Sequence, residues 1–126
     1  MTDFLVKIDR SSVPAKITFP DPFNVAVPFI DRHIQENRRE QIAIECANET
    51  VTYGVLSEKV NRCGSALLGQ GSAPGERLMM VVKDTPAFFY LFWGAIKAGI
   101  VPVSYTHLRA HETLRSLVCR LLLEKK

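Results

Sequence analysis

The sequence has no apolar run of the ~18–20 residues that a membrane span requires, so no transmembrane helix is expected. Its N-terminus, Met1-Thr-Asp-Phe-Leu-Val-Lys-Ile-Asp-Arg10, has no basic patch followed by an apolar stretch, which excludes a secretory signal. Cysteine is scarce. Cys46, Cys63 and Cys119 are odd in number and widely spaced, so they form no disulfide framework and no paired metal site. They read as free thiols in a reducing compartment, the cytoplasm. There is no Walker loop and no nucleophile elbow. Excess charge is confined. Residues 1–103 carry as many basic as acidic side chains, and the formal net charge of +3 arises wholly from Ser104–Lys126. A neutral body of this kind points to neither nucleic acid nor membrane as partner.

What is present suits one folded unit. The 126 residues are 47% apolar and 23% charged, enough to bury a core and too apolar for disorder. Pro14, Pro20 and Pro22 make the stretch to Asn24 an extended arm rather than a helix, with Phe19 and Phe23 free to lie on a neighbouring surface. Val27, Ile30 and Ile34 predict a helix over Pro28–Asn37. Gln41–Tyr53 alternates as a β-hairpin turning at Ala47-Asn48-Glu49. Leu56, Val60, Cys63 and Leu67 predict the buried face of a helix over Val55–Leu68, ended by the loop Gly69–Gly75. Arg77–Lys83 reads as a buried strand, and Ile100–Val103 as another. Between them Pro86–Ala98 reads as a helix, capped by Thr85 and stopped by Gly99. Strand, helix, strand in this order predicts a parallel βαβ unit. The helix between is apolar almost all round, with Phe88, Phe89, Tyr90, Leu91, Phe92 and Trp93. Such a helix needs covering on every side, so the pattern implies a larger α/β body than this chain supplies.

Gly69–Gly75 follows a helix and precedes a strand, the reverse of a dinucleotide loop, and reads as a connector. His33 stands alone on its helix, as a structural or surface residue. His107 and His111 share a helical spacing without a third ligand near, Cys119 lying two turns on. Asp31, Glu58 and Asp84 lie at helix ends or on exposed faces, where capping or solvated roles are expected. No catalytic, cofactor-binding or metal-binding residue is assigned.

Three blocks in order carry a family resemblance: Asn24-Val-Ala-Val-Pro-Phe-Ile-Asp-Arg-His33, Glu49-Thr-Val-Thr-Tyr53 with Leu56, and Phe92-Trp-Gly-Ala-Ile-Lys-Ala-Gly-Ile-Val-Pro-Val103. Together they resemble the start of the acyl-adenylate-forming superfamily. The opening block and Met79-Met-Val-Val-Lys-Asp-Thr-Pro86 are most similar to benzoate–coenzyme A ligases. The resemblance implies an α/β fold, the N-terminal piece of the large adenylate-forming domain, built of a hairpin plus a parallel βαβ unit. It implies activation of a small aromatic or acyl carboxylate by ATP with Mg2+, then transfer to CoA, by the parent enzyme. The family's phosphate loop, Tyr-Gly-x-Thr-Glu block, ribose-binding aspartate and C-terminal lysine have no counterpart in this sequence, so the fragment is expected to be inactive and to bind none of these cofactors. Which acid is used and the oligomeric state stay open.

From Ser104 the likeness changes. Ser104-Tyr-Thr-His-Leu-Arg-Ala-His-Glu-Thr113 resembles the one-frame translation of a transposase-type sequencing adapter, and Leu117–Lys126 its primer continuation. The expected division is therefore 1–103, the truncated N-terminal part of an AMP-binding domain, and 104–126, an adapter-derived, non-native helical tail. The rival reading takes Leu108, Leu114, Leu117, Val118, Leu121 and Leu122 as one face of a basic amphipathic helix on a small self-sufficient binding module. Its target would be a membrane surface or an acidic partner.

Overall fold

A computed structural model describes residues 6–47, 49–105 and 120–123. The first element is a short hairpin, β1 (Lys7–Asp9) against β2 (Lys16–Thr18), antiparallel and solvent-facing. The extended arm thus pairs with itself. Asp9 makes the turn: its Oδ1 accepts from the Ser11 amide at 2.9 Å and the Ser11 hydroxyl at 2.6 Å. Phe19 and Phe23 pack on each other, their ring centroids 5.1 Å apart.

The helix expected over Pro28–Asn37 is shorter and begins irregularly. Val27–Asp31 forms a π-helical turn, in which the Arg32 amide donates to the Val27 carbonyl, and Arg32–Gln35 (α1) completes it. Asn37, at φ 57°, ends the segment in a conformation asparagine tolerates better than most residues. Next come β3 (Ile42–Glu45) and β4 (Thr50–Thr52), the expected hairpin, with a register shift between Ile42 and Ile44. α2 runs Tyr53–Gly69, starting two residues earlier than the periodicity indicates because Thr52 caps it, its Oγ1 accepting from the Val55 amide at 3.4 Å.

β5 (Arg77–Val81), α3 (Pro86–Lys97) and β6 (Val101–Ser104) are the βαβ unit, and β5 pairs with β6 in parallel. Thr85 occupies the N-cap of α3 but does not cap with its side chain; its hydroxyl turns back to the Lys83 carbonyl. Pro86 at the first turn has no amide proton to satisfy, which lessens the need for a cap. Gly99, at φ 78°, ends α3 in the left-handed region that glycine enters without steric cost.

The tail differs from expectation. Arg120–Leu123 is not helical; it forms β7, an antiparallel strand on the edge of β5 opposite β6. Leucine and arginine favour a helix by only tenths of a kcal/mol per residue, on the order of the propensity scale. An open strand edge offers a row of unsatisfied backbone groups, and pairing with it outweighs that local preference. The rest of the helical segment, with His107, His111 and Cys119, lies outside the described residues. Strand β6 itself runs across the expected division, since Ser104 pairs with Met80 and the Tyr105 amide donates to the Met80 carbonyl at 3.0 Å.

Two apolar clusters hold the body. Leu67, Leu78, Met80, Ala95 and Ile100 form one, between the sheet and the two long helices. Ile30, Val51, Leu56 and Val60 form the other, between the hairpin, the π-helical turn and α2, with Tyr90 and Trp93 of α3 packed against it. α2 meets α3 at Val60, Cys63 and Gly64, so Cys63 lies at this contact, half-buried, with Gly64 beside it. α3 buries Pro86, Gly94 and Ala95 fully and leaves its aromatic rings partly covered. Phe29 stays 57% exposed and Phe89 39%. The body is therefore short of cover where the sequence indicates.

Candidate functional site

The largest concentration of aromatic side chains lies where the π-helical turn, the β3–β4 hairpin and α3 meet. An open cavity of ≈ 380 Å³ is lined there by Phe29, Ile30, Ile44, Tyr53, Leu56 and Trp93. Phe29 stacks on Trp93 with centroids 5.3 Å apart. His33 stacks on Tyr53 with centroids 3.8 Å apart and the rings nearly parallel. This lining takes up apolar or aromatic groups. It offers no nucleophile paired with a base and no pair of convergent carboxylates.

Two titratable groups on the long helices are shifted by burial. Burial pushes the Cys63 thiol up, with Lys59 opposing, so the thiol stays protonated and weakly nucleophilic. Burial also pushes the Tyr90 phenol up, and the nearby Glu49 adds to this. Asp31 is spoken for by Lys97, whose Nζ donates to its Oδ1 at 2.6 Å, tying α3 to the first helix. Glu58 pairs with Arg62 on the exposed face of α2 at 2.7 Å. Gly75, in the loop between α2 and β5, donates its amide to the Gly99 carbonyl at 2.8 Å, tying the start of β5 to the start of β6. Among the described residues no group of three His, Cys, Asp or Glu side chains could hold a metal ion. No helix among them is long and apolar enough to cross a membrane.

Asn24 has a role that its place in the sequence does not announce. Its Nδ2 donates to the Ile96 carbonyl at 2.9 Å, at the C-terminal end of α3, while its Oδ1 accepts from the Ala26 amide at 2.9 Å. One side chain thereby satisfies an orphan carbonyl of α3 and starts the first helix. Asn24 opens the first family block, but its partner lies 72 residues on, beyond any local pattern.

His33 carries a pH dependence. Burial, then the neighbouring Arg38 and Arg32, hold its imidazole below the ordinary 6.5, with Glu36 opposing. The unfolded chain accepts a proton that the folded chain resists. Stability is thus full above pH 6.5 and falls as pH drops through the folded value. H33F, which keeps the ring on Tyr53, is expected to flatten the dependence of thermal midpoint on pH between about 7 and 5, where a free imidazole titrates. Parallel curves for the two proteins would remove His33 from the account.

Comparison with known proteins gives a consistent set of relatives. The sequence profile of the family described as AMP-binding enzyme matches residues 30–118, a span that crosses Val103. The 4-hydroxybenzoate–CoA/benzoate–CoA ligase of Rhodopseudomonas palustris is 44% identical over 81 residues, covering 64% of this chain and 15% of that enzyme. The benzoate–CoA ligase of Thauera aromatica is 36% identical over 101 residues, covering 79% of this chain and 19% of that enzyme. The crystal structure of a benzoate CoA ligase from Burkholderia xenovorans superposes with a TM-score of 0.63 at 37% identity, over 68% of this chain and 17% of that one. The chain thus spans less than a fifth of the length of these relatives.

Proposed function

The chain belongs to the AMP-binding enzyme family, and on that premise we propose that it is the N-terminal portion of an aryl- or acyl-CoA ligase, inactive by itself. The observation that carries this reading is the 36–44% identity to benzoate-type CoA ligases, confined to a small fraction of their length. The parent reaction joins a small aromatic or acyl carboxylate to CoA at the expense of ATP, which leaves as AMP and pyrophosphate. ATP and CoA follow from the family; Mg2+ is the ion expected to accompany ATP, offsetting phosphate charge. The described residues do not fit these groups. They offer Mg2+ no cluster of carboxylates, and their aromatic cavity has no cradle of amides or cations for phosphate. No catalytic step is therefore assigned to this chain. Its contribution is architectural: it supplies the first strands and helices on which the remainder of the parent would pack. The free Cys46 and Cys63 thiols support a cytoplasmic parent.

The division at Val103 is part of the same proposal. Its support is the adapter-like string from Ser104 onward, although both the family match and strand β6 extend past that point. Two measurements test the reading. The purified chain, given ATP and benzoate, is expected to release no pyrophosphate above a blank; release above the blank would show that it is an enzyme in its own right. Source DNA read past the Pro102 codon is expected to continue into a ligase open reading frame. A read that reproduces Ser104–Lys126 would overturn the division.

A further inference from the structure

We propose that the open cavity between the π-helical turn, the β3–β4 hairpin and α3 is a binding site for an alkylated ammonium ion. Its lining carries the inference. Four aromatic side chains, Phe29, Tyr53, Phe89 and Trp93, line it together with the buried Ile30 and Leu56. Among the described residues that line it, Glu45 of β3 alone carries a charge, and no lysine, arginine or histidine is present. Glu45 is exposed and makes no ion pair with any described residue. His33 covers one face of Tyr53 without lining the cavity, and the arginines beside it, Arg32 and Arg38, both pair with Glu36.

The faces of aromatic rings carry the negative part of the ring quadrupole and attract a cation placed over them. An unpaired carboxylate at the same place adds to that attraction. An anion meets the reverse on both counts. A neutral apolar molecule gains from the ring surfaces and nothing from Glu45. Among cations, hydration decides. A bare ammonium or sodium ion gives up strongly held water on entering an apolar lining, at a cost that one exposed carboxylate does not return. An alkylated ammonium spreads its charge over its methyl groups, holds water weakly, and gains from burying those groups among apolar side chains. The cavity of ≈ 380 Å³ falls within the range of small-ligand sites, about 300–1,000 Å³, and admits such a head group.

Trp93 is the only tryptophan in the sequence, so its fluorescence reports on the cavity that it lines. Choline and dimethylbutanol, its uncharged isostere with carbon in place of the quaternary nitrogen, are the probes. The intact chain is titrated at low and constant ionic strength, because salt screens an exposed carboxylate. Choline is expected to change the Trp93 emission saturably, with half-saturation about tenfold below that of dimethylbutanol. Sodium chloride is expected to give no saturable change. E45Q keeps the shape of the side chain and removes its charge. It should raise the half-saturation for choline about two- to fivefold and leave that for dimethylbutanol unchanged. F29L keeps apolar bulk and removes one ring, and it too should weaken choline while sparing dimethylbutanol. Both residues are exposed, so neither change reaches the core, and far-ultraviolet circular dichroism checks that the fold is kept. Equal half-saturation for choline and dimethylbutanol would overturn the proposal. So would an E45Q or F29L protein that binds choline as the intact chain does. Ring currents should also move the choline methyl proton resonance upfield, which detects occupancy that leaves Trp93 silent. A chain that gives neither response overturns the proposal as well.

Discussion

Leu78→Ala is expected to lower the unfolding free energy by about 3–5 kcal/mol, near the upper end for leucine truncation in a core. Leu78, the second residue of β5, is fully buried in the cluster with Leu67, Met80, Ala95 and Ile100. The sheet pins its backbone on both sides, through β6 and β7, so the surroundings can close little of the cavity left behind. In a domain of this size the thermal midpoint should fall on the order of 10–20 °C. Leu78→Met keeps the volume and should cost less than about 1.5 kcal/mol. Chemical denaturation of the two variants checks both values. A loss of under about 1 kcal/mol for Leu78→Ala, the level typical of surface changes, would mean that β5 is not the centre of the core.

The second large effect comes from adding one methyl group. At Gly94 a Cβ would stand 2.8 Å from Cβ of Cys63, 3.0 Å from the Gly64 amide nitrogen and 3.0 Å from the Val60 carbonyl oxygen. Two of these three neighbours are backbone atoms of α2 and cannot rotate away. Gly94→Ala should therefore push α3 off α2 and cost about 1–3 kcal/mol, as overpacking does. That outcome reverses the usual ranking, in which alanine improves a helix over glycine by about 1 kcal/mol. Gly69→Ala is the matched control. It is also helical, and a Cβ there meets nothing within 4 Å. It should be neutral or stabilising by up to about 1 kcal/mol. Equal effects at Gly94 and Gly69 in denaturant melts would show that the two helices are not in close contact.

Much of the body was legible before any coordinates. The apolar run of Arg77–Val81, the proline and glycine bracketing α3, and the alternation in β3 and β4 all report local physics. In each, periodicity, propensity and turn chemistry agree. The family blocks were equally legible, because their residues stand at close spacing in the chain. The absence of the phosphate loop could also be read directly. What is positioned at the aromatic cavity could not: Phe29, Ile44, Tyr53 and Trp93 come from four elements, and nothing in their spacing unites them.

The sequence by itself determined the fold class, the order of strands and helices in the body, and the family. Those depend on patterns within a dozen or so residues. The tertiary structure alone decided how closely α2 and α3 approach, setting Gly64 beside Cys63 against Gly94, because the closeness of two helices is a property of the pair. It decided that Asn24 serves the far end of α3, that the N-terminal arm folds back into a hairpin, and that Thr85 leaves its helix uncapped. It also decided the state of Arg120–Leu123, whose composition favours a helix. The weak preference of each residue is local and additive, whereas an open β5 edge supplies several backbone partners at once, and such partners exist only after the rest of the chain has folded.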